Sequence, residues 1–167
     1  MRTVLSLLLS MALLSSAASA QTPRVERIEI TEFGIYQKKD TKTTDAPGTA
    51  LGTYYYETEI QLIEATTTIP ARPGITFGYR YKVIGSPANA RVTVKDVNIV
   101  PPPGLRNPAT GNTIYREEVQ VVRTFGTIAH SDYTLGSDWT LLPGTWTFQL
   151  WVGDRKLAEQ IFTLVKP

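Results

Sequence analysis

Past residue 20, apolar side chains recur at every second position in short runs rich in Val, Ile, Thr, Tyr and Phe, and clusters of Gly, Pro, Asn and Asp end the runs. A period of two is the mark of strands that bury one face. The cleanest case is Ile75, Phe77, Tyr79, Tyr81 and Val83, interleaved with Thr76, Gly78, Arg80 and Lys82. Near the end of the chain Trp146, Phe148, Leu150 and Val152 alternate with Thr145, Thr147 and Gln149. Gly153-Asp154 then turns, and Leu157 to Val165 returns as a last strand. A one-residue slip would turn that whole apolar set outward, so its register is fixed.

Other runs are less regular. Val25 to Tyr36 is in phase through Ile28 and Ile30 and then changes to Phe33 and Ile35, which predicts a bulge at Glu32 to Gly34. A second run, Thr53 to Ile69, carries Tyr54, Tyr56, Ile60 and Leu62 and stops at Pro70 and Pro73-Gly74. Another begins at Ala90, Val92 and Val94, shifts phase near Asp96, and continues through Val97 and Ile99 to Pro101-Pro102-Pro103-Gly104. Three prolines offer no N–H to a ladder, so pairing must end there. Thr113 to Phe125 mixes polar and apolar residues on both faces, as a strand near a sheet edge does. The polar stretch 37–52 is expected as a long, exposed and mobile connection. No stretch after the first twenty residues has a convincing 3.6-residue period.

These runs predict an all-β fold: an immunoglobulin-like antiparallel β-sandwich of about seven strands, with a closed barrel as the alternative. The uneven runs and long polar connections favour the sandwich. Trp146 would be its central plug, with the indole N–H on a backbone acceptor.

The first twenty residues read differently. Met1-Arg2, the apolar stretch Val4 to Leu14 and Ala18-Ser19-Ala20 form a secretory signal cleaved after Ala20. Its apolar stretch rises only about 16 Å as a helix, roughly half a bilayer core, so no membrane anchor is expected in the mature form. The expectation is a periplasmic or secreted protein, with residues 21–167 as a single β-sandwich domain. A chain of that size buries enough surface to fold without disulfides. The sequence has no cysteine, which excludes thiolate metal sites, cysteine nucleophiles and thiol redox chemistry. Without Arg2 the 17 basic residues become 16 against 15 acidic ones, with no basic block, so nucleic acid is not an expected partner.

With these residues in view the chain resembles a bacterial family known as domain of unknown function 3859. The similarity lies in Glu32-Phe33-Gly34-Ile35-Tyr36, Phe77-Gly78, Pro103-Gly104-Leu105, Pro143-Gly144-Thr145-Trp146 and Phe162. These are turn glycines and core aromatics. The resemblance implies an exported domain and transfers no catalytic residue to this sequence.

Candidate chemistry is sparse. The single histidine, His130, stands in His130-Ser131-Asp132-Tyr133; as a base it would act on a distant serine, with Asp132 orienting it. A local turn with His130 exposed is the simpler expectation. Glycoside hydrolysis needs two facing carboxyls, for which Glu117, Glu118, Asp132, Asp138 and Asp154 are candidates. Glu117 and Glu118 are adjacent on a strand and point to opposite faces, and Asp138 and Asp154 sit where turns ordinarily carry aspartate. One histidine and the isolated Asp40 and Asp45 suggest no metal site, and no phosphate-binding glycine motif occurs. No catalytic residue, metal or cofactor is assigned. Exposed aromatics are the remaining candidates for binding: Tyr55, turned outward if Tyr54 and Tyr56 turn inward, with Trp139 and Trp151. The expected function is an exported non-catalytic module that binds a protein or glycan. The alternatives are a weak hydrolase using loop carboxylates with His130, and an assembly or adhesion subunit offering an edge strand.

Overall fold

The computed structural model describes residues 21–167, apart from the side chains at 40–41 and 54–58. The expected signal segment lies outside the described residues. The strands are β1 (Arg24–Asp45), β2 (Thr53–Glu64), β3 (Thr68–Pro70), β4 (Thr76–Ser86), β5 (Arg91–Ile99), β6 (Leu105–Arg106), β7 (Thr113–Ile114), β8 (Arg116–Thr124), β9 (Ile128–Thr134), β10 (Gly144–Val152) and β11 (Arg155–Val165). They form a four-stranded sheet ordered β2-β1-β4-β9, a five-stranded sheet ordered β3-β11-β10-β5-β8, and a small β6-β7 ladder. Pairing is antiparallel except between β3 and β11.

The two cleanest alternations supply the two inner faces. Phe77, Tyr79, Tyr81 and Val83 of β4 and Trp146, Phe148 and Leu150 of β10 are at most 1 % exposed. Phe77 is the hub, its ring 5.6 Å from Trp146, 5.4 Å from Phe148 and 5.2 Å from Phe162. Each such ring removes enough apolar surface from water to contribute about 2–3 kcal/mol. The Trp146 indole N–H donates to the Leu142 carbonyl at 3.0 Å, the backbone acceptor expected of a buried tryptophan.

Several expectations change in detail. In its pairing with β4, β1 shifts register between Ile30 and Glu32 and also between Val25 and Arg27, and in its pairing with β2 it shifts between Ile35 and Tyr36. At Gly34, with φ +145°, a Cβ would collide with the Glu64 carbonyl, so only glycine lets the strands pass this closely.

The stretch 37–52 is not a loose connection. β1 runs on to Asp45 and pairs with β2 from Ile35↔Glu64 to Asp45↔Thr53, whereas its pairing with β4 stops at Tyr36↔Thr76. Beyond Tyr36, β1 and β2 therefore form a two-stranded arm. Polar alternation hid it, because a ribbon that leaves the core has no face to make apolar.

His130-Ser131-Asp132 is likewise no turn. It lies in β9 and pairs along β4 from Thr76↔Thr134 to Lys82↔Ile128. β5 also keeps one register from Arg91↔Thr124 to Ile99↔Arg116, without the shift expected near Asp96. The inward row simply turns polar, running Val94, Asp96, Asn98, while Val97 is covered on the opposite face. β8 is an edge strand, as its mixed faces suggested.

Candidate functional site

β8 and β9 are consecutive in the chain but are edges of opposite sheets, so the sandwich is open between them. The β1–β2 arm crosses that opening. Lys38 on the arm reaches Asp132 of β9 at 2.5 Å. At its tip the Ala50 N–H donates to Glu117 Oε1 of β8 at 2.7 Å, and Asn107 Nδ2 donates to the Ala50 carbonyl at 3.1 Å. Gly48 packs so near β8 that a Cβ there would stand 2.8 Å from the Glu118 carbonyl oxygen. Charge and hydrogen bonds hold the arm down, together with the burial of Ala50 in the core.

Beneath it lies a cleft of about 570 Å³, within the range of small-ligand sites. The arm contributes Tyr36, Lys38 and Leu51, β5 contributes Asp96 and Asn98, β8 contributes Glu117 and Val119, and β9 contributes Ser131, Asp132 and Tyr133. The Ser131 hydroxyl donates to Asp96 Oδ1 at 2.9 Å and joins the two sheets. The Tyr133 hydroxyl and Asn98 Oδ1, both on residues of the cleft lining, are among the buried polar atoms that lack a hydrogen-bond partner among the described residues.

The cleft alters its acids. Burial pushes Asp96 up to about 6, against the lowering effect of the Ser131 hydrogen bond and the Arg123 charge. Burial also raises Glu117, opposed by the Ala50 N–H and the Asn98 side chain. The Tyr133 phenol is raised by burial first and the Glu117 charge second.

A stability prediction follows from Asp96. Between the ordinary value of 3.8 and about 6 the folded protein holds a proton that the unfolded chain has released. Asp96 therefore favours the fold at low pH, and that contribution is lost as the pH rises through 6. Asp96→Asn keeps an acceptor for Ser131 and removes the buried charge. It is expected to raise stability by up to about 3 kcal/mol at pH 7.5 and by only about 1 kcal/mol at pH 4.5. Paired thermal melts of parent and variant at the two pH values measure this.

The sequence candidates do not gather at one place. His130 is 23 % exposed in its side chain, with Nε2 3.6 Å from Asp132 Oδ2. Ser131 points to the opposite face, with its hydroxyl on Asp96, so Ser131 and His130 make no nucleophile–base pair. Glu117 is buried and Glu118 exposed, as their adjacency requires. Asp138 begins a short 3₁₀ turn, Asp154 sits in the β10–β11 turn, and neither lines the cleft.

Trp139 is half-buried against the core, before β10. Trp151 lies near the far end of that strand, donating to Gln149 Oε1 at 3.0 Å with the Lys95 ammonium 5.6 Å from its ring. Neither tryptophan lines the cleft. Tyr55 pairs with Thr43 in the arm, and its side chain lies outside the described residues. Among the described residues no three His, Asp or Glu side chains are grouped to hold a metal.

The sequence reading missed Lys38, Asp96, Asn98 and Tyr133 as neighbours. One signal could have found them: the apparent phase break at Asp96 is where an inner face becomes hydrophilic.

The pattern of a family described as Domain of unknown function (DUF3859) matches residues 24–164. No curated protein matches the chain. Among solved structures, an immunoglobulin-like protein from Pseudomonas aeruginosa is 21 % identical and superposes with a TM-score of 0.56, over 88 % of this chain and 99 % of its own. The fold is thus an immunoglobulin-like sandwich. An alkylpurine DNA glycosylase from Pseudomonas fluorescens, bound to DNA containing an abasic site analog, is 15 % identical over 59 % of this chain and 27 % of its own, with a TM-score of 0.36. That score is too low to bear on this chain.

Proposed function

The chain belongs to the DUF3859 family, and we propose that it is an exported, non-catalytic binding module that takes a group presented by a protein or glycan in the cleft beneath the β1–β2 arm. One observation carries this reading. The Tyr133 hydroxyl and Asn98 Oδ1 are buried without hydrogen-bond partners among the described residues and border an accessible cleft of about 570 Å³. Each such group costs about 1–3 kcal/mol while unmatched, and a ligand that matches it recovers that loss.

A non-catalytic role fits the chemistry of β9. The Ser131 hydroxyl is engaged by Asp96, while His130 and Asp132 face away from it. The leader sequence supports export to the periplasm or beyond. No helix among the described residues is long and apolar enough to cross a membrane. The cleft replaces the scattered aromatics as the preferred surface, since Trp139 and Trp151 lie outside it.

Amide chemical shifts of the labelled protein, followed while fractions of periplasmic extract are added, test the reading. The expected shifts cluster at Asp96, Asn98, Glu117 and Ser131 to Tyr133, and shrink in Tyr133→Phe. Shifts confined to Trp139 and Trp151 would place recognition on the aromatics instead.

A further inference from the structure

Resting on that reading of the cleft, we infer that its ligand is an organic cation: a terminal ammonium or guanidinium on a short aliphatic stem. The inference starts from unmatched charge. Asp96 and Glu117 are 7 % and 5 % exposed, both line the cleft, and neither forms an ion pair among the described residues. Asp96 accepts one hydroxyl hydrogen bond, and Glu117 is met by the Ala50 N–H and the Asn98 side chain. The lysine that lines the cleft, Lys38, lies on Asp132 instead. Among the described residues the two deeper carboxyls thus have no direct ion pair of the kind Asp132 makes, and the Arg123 charge acts on Asp96 without forming one.

Independent of the acids, the Tyr133 side chain, 7 % exposed, brings to the same cleft a hydroxyl without a partner among the described residues, and Asn98 brings a carbonyl oxygen. Carboxylate, carbonyl and phenol oxygens make a set rich in acceptors. An ammonium offers three donors and a guanidinium five, with none of the acceptors that would compete. The rings of Tyr36 and Tyr133 add faces that attract cations, and Leu51 and Val119 give an alkyl stem apolar surface. An anion would meet two carboxylates. A neutral polyol would match the acceptors and leave the buried charge uncompensated.

The pH dependence has a definite sign. A bound cation favours the ionised form of Asp96, whose surroundings include Ser131, His130 and Asp132 on β9 and Arg123 on β8. Glu117 faces Ala50 of the arm, Asn98 of β5 and Tyr133 of β9. Affinity should therefore rise with pH through 6.

Isothermal titration with putrescine and agmatine, against uncharged 1,4-butanediol, tests the inference at pH 7.5 and pH 5. The diamine and agmatine are expected to saturate, with butanediol at least about tenfold weaker and each cation weaker at pH 5. Glu117→Gln keeps an acceptor for Ala50 and should weaken the cations roughly tenfold. Tyr133→Phe, which removes one oxygen, should weaken them severalfold, so the test does not depend on a carboxylate variant folding.

An acetylated Gly-Lys-Gly amide identifies the source. Tighter binding than putrescine points to a lysine side chain of a protein partner, and weaker binding to a free amine. Butanediol matching putrescine, or no saturation by any cation up to about 10 mM, would overturn the cationic assignment. A neutral sugar that moves the amides of Asp96, Glu117 and Tyr133 where amines do not would overturn it while leaving the cleft a binding site. If neither probes nor extract fractions move those amides, the binding-module reading falls as well.

Discussion

Trp146→Ala is expected to remove about 3–5 kcal/mol of stability and to lower the melting temperature by roughly 10–15 °C. The side chain is fully buried between the sheets, with its ring 5.6 Å from Phe77 and 4.9 Å from Tyr133. Truncation leaves a void against Phe77 and Tyr133 of the facing sheet, which cannot close over it without losing their own contacts. It also strands the Leu142 carbonyl, which accepts the indole N–H at 3.0 Å. Urea unfolding measures the loss. A change below about 1 kcal/mol would mean that the core does not centre on this residue.

The second large effect is expected at Gly78→Ala, with a loss of about 3 kcal/mol or more. Gly78 sits mid-strand in β4, between Gly34 of β1 and Asp132 of β9. A Cβ there would overlap the Ser131 carbonyl and stand 2.6 Å from the Asp132 Cα. These are backbone atoms, so β9 itself must move. That displacement carries Ser131 away from Asp96 and Asp132 away from Lys38, so weaker binding in the cleft should accompany the loss of stability. Gly136→Ala is the control, since an added Cβ meets nothing within 4 Å and its effect should stay within about 0.5 kcal/mol. Urea unfolding of both variants measures the loss of stability, and putrescine titration of folded Gly78→Ala against the parent measures the loss of binding; Gly136 lines the cleft and serves as the control for stability alone.

The parts of the fold legible in the sequence are those where one apolar row decides the structure. Phe77 to Val83 and Trp146 to Val152 alternate without interruption because both rows face the same dry interior. The arm was illegible for the complementary reason. From Gln37 to Asp45 β1 is held by backbone pairing to β2 and by single polar contacts such as Lys38 to Asp132, none of which imposes a period on side-chain polarity. β9 was obscured in a similar way: its inward residues are Ala129, Ser131 and Tyr133, and the middle one is a serine whose apolar-equivalent burial depends on Asp96 in the other sheet.

The cleft shares that origin. Asp96, Asn98 and Glu117 occupy inward positions on two paired strands, where pattern alone suggests a slip of register. Only the three-dimensional neighbours show that these polar residues line one space. The aromatic candidates illustrate the converse. Trp151 stands out in the sequence, but its indole N–H is matched by Gln149 on the same strand.

Amide hydrogen exchange at Ala50 tests directly whether the arm closes the open side of the sandwich through Glu117. Ala50 should exchange slowly in the parent and much faster in Glu117→Ala, while the core amide of Phe148 stays protected in both. Exchange of Ala50 at the rate of an unprotected amide in the parent, or protection unchanged in the variant, would contradict it.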